Sequence, residues 1–195
     1  MSNSPWNTSR ALLSQDPRQS TVSAPASSQR RVSLRPSGID PAGELIVYSE
    51  EPDYVVAAVG RCLIHITVNR TTATAVSSIR RALADLSERH NAFGYLCVLE
   101  PTAQLMMPPD IREGVNAYAR RYSERFTGAA IVYEVPGFQA TVVRSVVTAV
   151  NLASRATHPT KVFDDLRAGT SWLSRLTPGE PASRLFEVIT QLRKA

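Results

Sequence analysis

The stretch AAIVYEVPGFQATVVRSVVTAVNLASR (129–155) contains an apolar run, a Pro-Gly pair and a segment in which valine recurs. The run at 129–134 is typical of a strand that is buried on both faces, and Pro-Gly marks a turn. The segment that follows has helical spacing, with a polar stripe that includes Arg144 and Arg155. Four valines share the opposite face: Val143, Val146, Val147 and Val150. The stretch therefore predicts a strand, a turn and an amphipathic helix over 139–155, the repeating unit of α/β folds.

Two features of this predicted helix suggest contacts beyond the sheet. Arg144 falls in its first turn, where a positive charge opposes the helix dipole, so we expect an acidic side chain or an anionic ligand nearby. On the flanks, Val142, Ala149 and Leu152 make the apolar sector wider than packing on a sheet requires. Two interpretations stay open: neighbouring helices cover the flanks, the C-terminal segment 184–192 among them, or the flanks form a surface for a partner or for self-association.

The segments before this unit also read as strands and helices. Two segments rich in Val and Ile, 44–50 and 54–68, predict antiparallel strands with a bend or a tight turn near Gly60 and Arg61. Side chains in a strand point alternately to its two faces, which places His65 on one face of the second segment and the apolar residues on the other. We interpret the apolar face as the core face. The core-face residues are Cys62, Ile64, Ile66 and Val68. A helix capped by Thr71 or Thr72, a strand at 95–100 and a helix capped by Asp110 follow.

After the quoted stretch, the pattern predicts a short strand at 161–163 and a helix that begins at Asp164 or Asp165. Pro181 then suits the first turn of a last helix. The predicted fold is an α/β domain with a mixed, mainly parallel sheet behind an N-terminal β-hairpin, and with helices packed on the sheet. The predicted domain spans 43–176, and an additional C-terminal helix occupies 177–195.

Residues 1–42 are rich in Ser, Pro and Arg and keep no apolar period, which predicts a disordered arm. Up to residue 40 the arm carries five arginines against two aspartates, so most of the net charge of +5 belongs to it. The nearly neutral remainder argues against nucleic acid as a partner. Within RRVSL, Ser33 follows Arg30 by three residues, which makes it a candidate phosphorylation site; chance occurrence in a low-complexity segment is the alternative.

Familiar catalytic motifs are absent from the sequence. It contains no GxxxxGK[ST], GxGxxG, GxSxG or HExxH pattern, which argues against an enzyme, and we expect no cofactor. The three histidines have no ligand spacing, so no metal site is predicted. Cys62 and Cys97 are interpreted as buried hydrophobes, not as a disulfide. The lack of a secretory signal and of a long apolar run predicts a cytoplasmic protein without a membrane span.

Three segments resemble the STAS-like superfamily, in particular its SpoIIAA-like branch. They are PPDIREGVNAY (108–118), AAIVYEVPGFQATVVRSVVTAV (129–150) and KVFDDLRAGTSWL (161–173), and the resemblance covers roughly residues 44–176. It implies a SpoIIAA-like α/β domain.

Known domains of this superfamily bind protein partners, such as an anti-sigma factor kinase. They are switched by phosphorylation of a Ser or Thr in an Asp-Ser-[Ser/Thr]-Gly setting after a central strand. Here the corresponding segment is PTAQLMMPPD (101–110), where Thr102 precedes a long loop and no Gly follows it. The phosphorylation switch is therefore not transferred to Thr102.

Our first hypothesis is a non-enzymatic regulatory module that docks to a protein partner, whose identity the sequence does not name. The residues selected for docking are Met106 and Met107, in an apolar loop tip with Leu105, and Arg144 and Arg155. The second hypothesis is a small-ligand or lipid-binding domain, because SpoIIAA-like folds are similar to CRAL-TRIO lipid carriers. The third is an enzyme without familiar motifs. An internal apolar pocket would distinguish the second hypothesis from the first.

Overall fold

The computed structural model of the protein describes residues 30–32, 45–135 and 138–194. Ser33, most of the predicted arm and the Pro-Gly pair at 136–137 lie outside the described residues, so the predictions made for them stay predictions. Within the described ranges, no helix is long and apolar enough to cross a membrane.

The described residues form an α/β fold around a mixed sheet of six strands, with a seventh strand of three residues at one edge. The strands lie side by side in the order in which they occur in the sequence. Their bounds are β1 (Arg30–Val32), β2 (Leu45–Glu51), β3 (Tyr54–Val59), β4 (Cys62–Thr67), β5 (Phe93–Leu99), β6 (Phe126–Tyr133) and β7 (Thr160–Phe163).

The sheet changes from antiparallel to parallel at β4. Pairing is antiparallel from β1 to β4 and parallel from β4 to β7. The mixed sheet is thus confirmed, but the antiparallel part is a meander and not the single hairpin that the sequence predicted. Of the six pairings between described strands, three are antiparallel and three are parallel. Short turns at 52–53 and 60–61 connect the strands in two of the antiparallel pairs, which is possible because antiparallel neighbours need no crossover helix.

The predicted tight turn near Gly60 is confirmed, and it depends on glycine. Gly60 has a φ of +49°, and a Cβ atom there would lie 1.7 Å from Oε1 of Glu180. The same Oε1 accepts a hydrogen bond from the backbone N–H of Arg61 at 2.6 Å. A side chain at position 60 would therefore meet both backbone strain and a steric clash.

Five helices are described: α1 (Ala73–Arg89), α2 (Pro109–Tyr122), α3 (Phe138–Ser154), α4 (Leu166–Leu176) and α5 (Ala182–Leu192). Thr72 caps α1 by accepting a hydrogen bond from the N–H of Ala75 at 3.1 Å. Asp165 caps α4 in the same way, by accepting from Ala168 at 2.7 Å. These contacts confirm the two predicted caps and select one residue from each predicted pair.

The predicted cap of α2 by Asp110 was wrong. The helix begins at Pro109, and its N-cap position is held by Pro108, which makes no side-chain hydrogen bond. Proline suits the first helical position, that of Pro109, because it has no N–H to satisfy and its φ is already helical. Asp110 lies within the first turn, where its charge favours the positive end of the helix dipole.

The helices cover both faces of the sheet. α1, α2 and α3 pack on one face, and α4 and α5 pack on the other. Both faces of β4 are therefore core, and His65, which the sequence placed opposite the core face, is only 3% exposed. The prediction of one core face was wrong because alternation identifies the two faces of a strand but not the layers that cover them. The opposite position of α5 also means that α5 does not cover the flanks of α3.

Candidate functional site

A cavity of about 130 Å³ lies between the sheet and the helices α2 and α3. Residues of β4, β5, β6 and β7 line the side of the cavity that is formed by the sheet, and residues of α3 line the opposite side. The loop at 101–108 contributes Leu105 and Met107 to the lining. The cavity is mostly apolar, with a small number of polar side chains. This combination is typical of a small-molecule binding site.

The cavity exists because short side chains face each other across the gap between helix and sheet. The helix contributes the four valines whose common face the sequence predicted, and all four line the cavity. On the sheet side, the lining includes Cys97, Ala129 and Thr160, whose side chains are also small. Close packing normally sets a large residue against a small one, so small residues on both sides leave a volume unfilled.

A chain of hydrogen-bonding side chains runs along one side of the cavity. The Oγ1 atom of Thr67 lies 3.3 Å from Nε2 of His65, and Nδ1 of His65 lies 3.1 Å from the hydroxyl of Tyr95. The Tyr118 hydroxyl, which comes from α2, interacts with the Tyr95 hydroxyl, whose pKa is raised by burial and also by this interaction. All four side chains line the cavity. We call Thr67, His65, Tyr95 and Tyr118 the polar chain.

The members of the polar chain that titrate are held in their uncharged forms. Burial lowers the pKa of His65 to about 4, so its imidazole is neutral at pH 7. Burial also raises the pKa values of the Tyr95 and Tyr118 hydroxyls above their ordinary value of 10. Among the described residues that line the cavity, none is Asp, Glu, Lys or Arg. At pH 7 the lining therefore offers hydrogen bonds but no net charge.

Cys97 and His65 are neighbours, but their electrostatics differ from those of a catalytic dyad. The Sγ atom of Cys97 lies 3.8 Å from Nδ1 of His65. Burial raises the pKa of the Cys97 thiol to about 12 and lowers that of the imidazole to about 4. A catalytic cysteine has a lowered pKa, because the thiolate is the nucleophile. Both cysteines are buried and free, as predicted.

A second group of polar side chains, from α3, β7 and the loop between them, also lines the cavity. The N–H at Nδ1 of His158 donates to the carbonyl oxygen of Ser123 at 3.2 Å, and burial lowers the pKa of His158. The hydroxyl of Thr160 donates to Oδ1 of Asn151 at 3.4 Å. Asn151, on α3, also lines the cavity.

The residues predicted for docking differ in their exposure to solvent. Met106 is 78% exposed, but Met107 and Leu105 are half-buried and line the cavity. The predicted apolar loop tip is therefore divided, with one side chain directed to solvent and two directed inward. The division follows from the backbone, because the N–H of Gln104 bonds the carbonyl oxygen of Asn69 at 2.6 Å and fixes the loop against the chain after β4.

Arg144 and Arg155 are both exposed. Because α3 begins at Phe138, Arg144 lies in its second turn and not in its first, which weakens the expected conflict with the helix dipole. Among the described residues no carboxylate pairs with Arg144, so its expected partner stays a prediction. Arg155 follows the end of α3 with a φ of +52°. Leu152, one of the flanking apolar residues, is 81% exposed.

Sequence reasoning required an internal apolar pocket for its second hypothesis, but it missed the polar chain. It considered His65 and Cys97 separately, and it looked for metal spacing within single segments. A usable signal was present, because His65 pairs in register with Cys97, and Leu63 with Tyr95, on neighbouring parallel strands. Side chains two residues apart share a face of a strand, so alternation in β4 and β5 would have placed His65, Tyr95 and Cys97 on the same side of the sheet.

In the part of the chain that the structure describes, no group of three or more His, Cys, Asp or Glu side chains could hold a metal ion. Comparison of the sequence with models of known protein families found no match, and comparison with curated proteins found none either.

Proposed function

We propose that this protein binds a small, mostly apolar molecule, without chemical conversion, in the cavity between the sheet and α3. The observation that carries the proposal is the pairing of an apolar lining with a short, neutral polar chain. This is the second of the three hypotheses drawn from the sequence, and it required an internal apolar pocket.

The size of the cavity limits the size of the ligand. An engineered cavity of about 150 Å³ in another protein takes up benzene. The present cavity of about 130 Å³ is similar, so it fits a molecule with a single ring or a short branched chain. A larger lipid would require α3 to move away from the sheet.

Ligand binding can be tested with toluene as a probe, followed by ligand-observed NMR on the full chain. We expect Val147→Phe to fill the cavity, which would abolish toluene binding and leave the fold intact. Val142→Phe is the matched control, because Val142 lies on the same helix but does not line the cavity. If toluene did not bind to the unmodified protein, or bound equally well to Val147→Phe, the proposal would be refuted.

Docking of a protein partner is the second candidate function, and the exposure of Met106 and Leu152 favours it. Apolar side chains that form a contiguous exposed patch mark interaction sites. The docking residues predicted from the sequence, together with Leu152, can be tested by crosslinking in the native cells and identification of the linked proteins. Met106→Gln and Leu152→Gln should abolish the crosslinks; an unchanged set of partners would contradict docking through these residues.

For the domain itself we propose a STAS-like, SpoIIAA-like fold. The consecutive order of β4, β5, β6 and β7, with one helix after each of the first three strands, supports this assignment. An experimental structure in which β5 did not lie between β4 and β6 would contradict it.

A further inference from the structure

The polar chain has a free end at the cavity, and that end can serve either kind of hydrogen-bonding group. A neutral imidazole donates through one ring nitrogen and accepts through the other. If Thr67 donates to Nε2 of His65, Nδ1 donates to Tyr95, Tyr95 donates to Tyr118, and the Tyr118 proton remains available. If every bond reverses, Tyr118 donates to Tyr95, and Tyr118 keeps a lone pair as an acceptor. Both arrangements satisfy the distances of 3.3 and 3.1 Å.

The same chain cannot offset a buried charge. Asp, Glu, Lys and Arg are missing from the described residues of the lining, and His65 is held neutral by burial. Transfer of an ionised group from water into an apolar site without a counter-charge is strongly unfavourable. A carboxylate ligand would have to be protonated before it entered, or it would remain outside.

We propose that the ligand is an uncharged molecule with an apolar body of about one ring and one hydroxyl or carbonyl group, which the polar chain binds through Tyr118 and Tyr95. This inference rests on the proposed function, because it specifies what the same cavity selects. The apolar body lies against the valines of α3, and the polar group lies at the α2 side of the cavity.

Three probes with the same ring test the inference: toluene, 4-methylphenol and 4-methylbenzoate. Each is measured by ligand-observed NMR at pH 7 with the full chain. We expect 4-methylphenol to bind about 2- to 10-fold more tightly than toluene, the range that one net hydrogen bond provides. We expect 4-methylbenzoate to bind at least about 100-fold more weakly than 4-methylphenol, because its charge is not offset.

Removal of the tyrosine hydroxyls provides the second arm of the test. Tyr118→Phe and Tyr95→Phe should each abolish the preference for 4-methylphenol over toluene. Tyr122→Phe is the matched control, because Tyr122 lies one turn later on α2 and does not line the cavity.

The outcomes separate this inference from the function on which it rests. Failure of all three probes to bind would refute the proposed function. Equal binding of toluene and 4-methylphenol, or tight binding of 4-methylbenzoate, would overturn the inference about ligand class and leave small-molecule binding in place. Loss of 4-methylphenol selectivity in Tyr122→Phe, but not in Tyr118→Phe, would also overturn it.

Discussion

The imidazole of His65 links the stability of the fold to pH. Its pKa is about 4 in the folded protein, against 6.5 for an unperturbed histidine, so below pH 6.5 the unfolded chain binds more protons. The contribution of His65 to stability is therefore complete above pH 6.5 and is lost as the pH falls towards 4. We expect a loss of about 3 kcal/mol from this residue at pH 4, measured by urea unfolding from pH 7 downwards.

His65→Gln is the comparison variant for this prediction, because glutamine is polar and does not titrate. The unfolding free energy of the variant should depend less on pH between 6.5 and 4 than that of the unmodified protein, since other acidic groups contribute equally to both. An NMR titration that gave His65 a pKa near 6.5 would contradict the prediction.

At Gly60, a positive φ and the neighbouring side chain of Glu180 both disfavour a larger residue. Gly60→Ala should destabilise the fold by about 1–3 kcal/mol, because its φ is positive and the new Cβ atom would meet Glu180. Gly179→Ala is the matched control, since its φ of +93° imposes a similar strain but no atom lies within 4 Å of the new Cβ. Equal losses in the two variants, measured by urea unfolding, would show that the contact with Glu180 does not matter.

Among the elements, α4 offers a direct test of helix capping. Asp165→Ala removes the acceptor for the N–H of Ala168, and we expect it to lower the free energy of unfolding by about 1 kcal/mol. Asp164→Ala changes the adjacent carboxylate, which does not cap the helix, and should have a smaller effect. If thermal or urea unfolding ranked the two variants in the reverse order, the N-cap would be assigned to the wrong residue.

The sequence predicted α3 better than it predicted the surroundings of α3. The spacing of the valines is enough to identify the face of the helix that meets the sheet, because helical periodicity is local. The distance between that face and the sheet is determined by residues that are far apart in the sequence. These are side chains of three separate strands, among them Cys97, Ala129 and Thr160. An internal apolar pocket could therefore be stated as a hypothesis, but its lining residues on the strands and its polar chain could not.

In the molecule as a whole, Arg193 joins the C-terminal helix to the sheet. Its guanidinium pairs with Glu100, directly after β5, and at 2.8 Å with Glu134, directly after β6. Arg193→Met should destabilise the protein by about 1–2 kcal/mol, an estimate kept low because the site is partly exposed to solvent. The neighbouring residue gives a control, Lys194→Met, which should have little effect. An equal unfolding free energy for both variants would contradict a joining role for Arg193.

The alternation of strands and helices was predictable for the described residues from 45 onwards, but the number of layers was not. Apolar runs and caps such as Thr72 and Asp165 are local signals, and the structure confirms them. α4 and α5 lie on the opposite face because the chain passes around the edge of the sheet after β7. The periodicity within a segment does not predict on which face the next helix packs. The sequence therefore did not predict that both faces of β4 are covered, and it did not predict that His65 is buried.

The order of the strands has a consequence for synthesis of the chain. Because each strand pairs with the one that precedes it in the sequence, no strand has to be inserted between two that are already paired. A chain that leaves the ribosome from its N-terminus can therefore extend the sheet one strand at a time, as in domains that fold during translation. We expect pulsed hydrogen exchange on stalled chains to find β2–β5 protected before β7 emerges; protection that arises only with the complete chain would contradict this. The cavity, which needs α3 and β7, would then form only after β2–β5, and the layer of α4 and α5 would follow it.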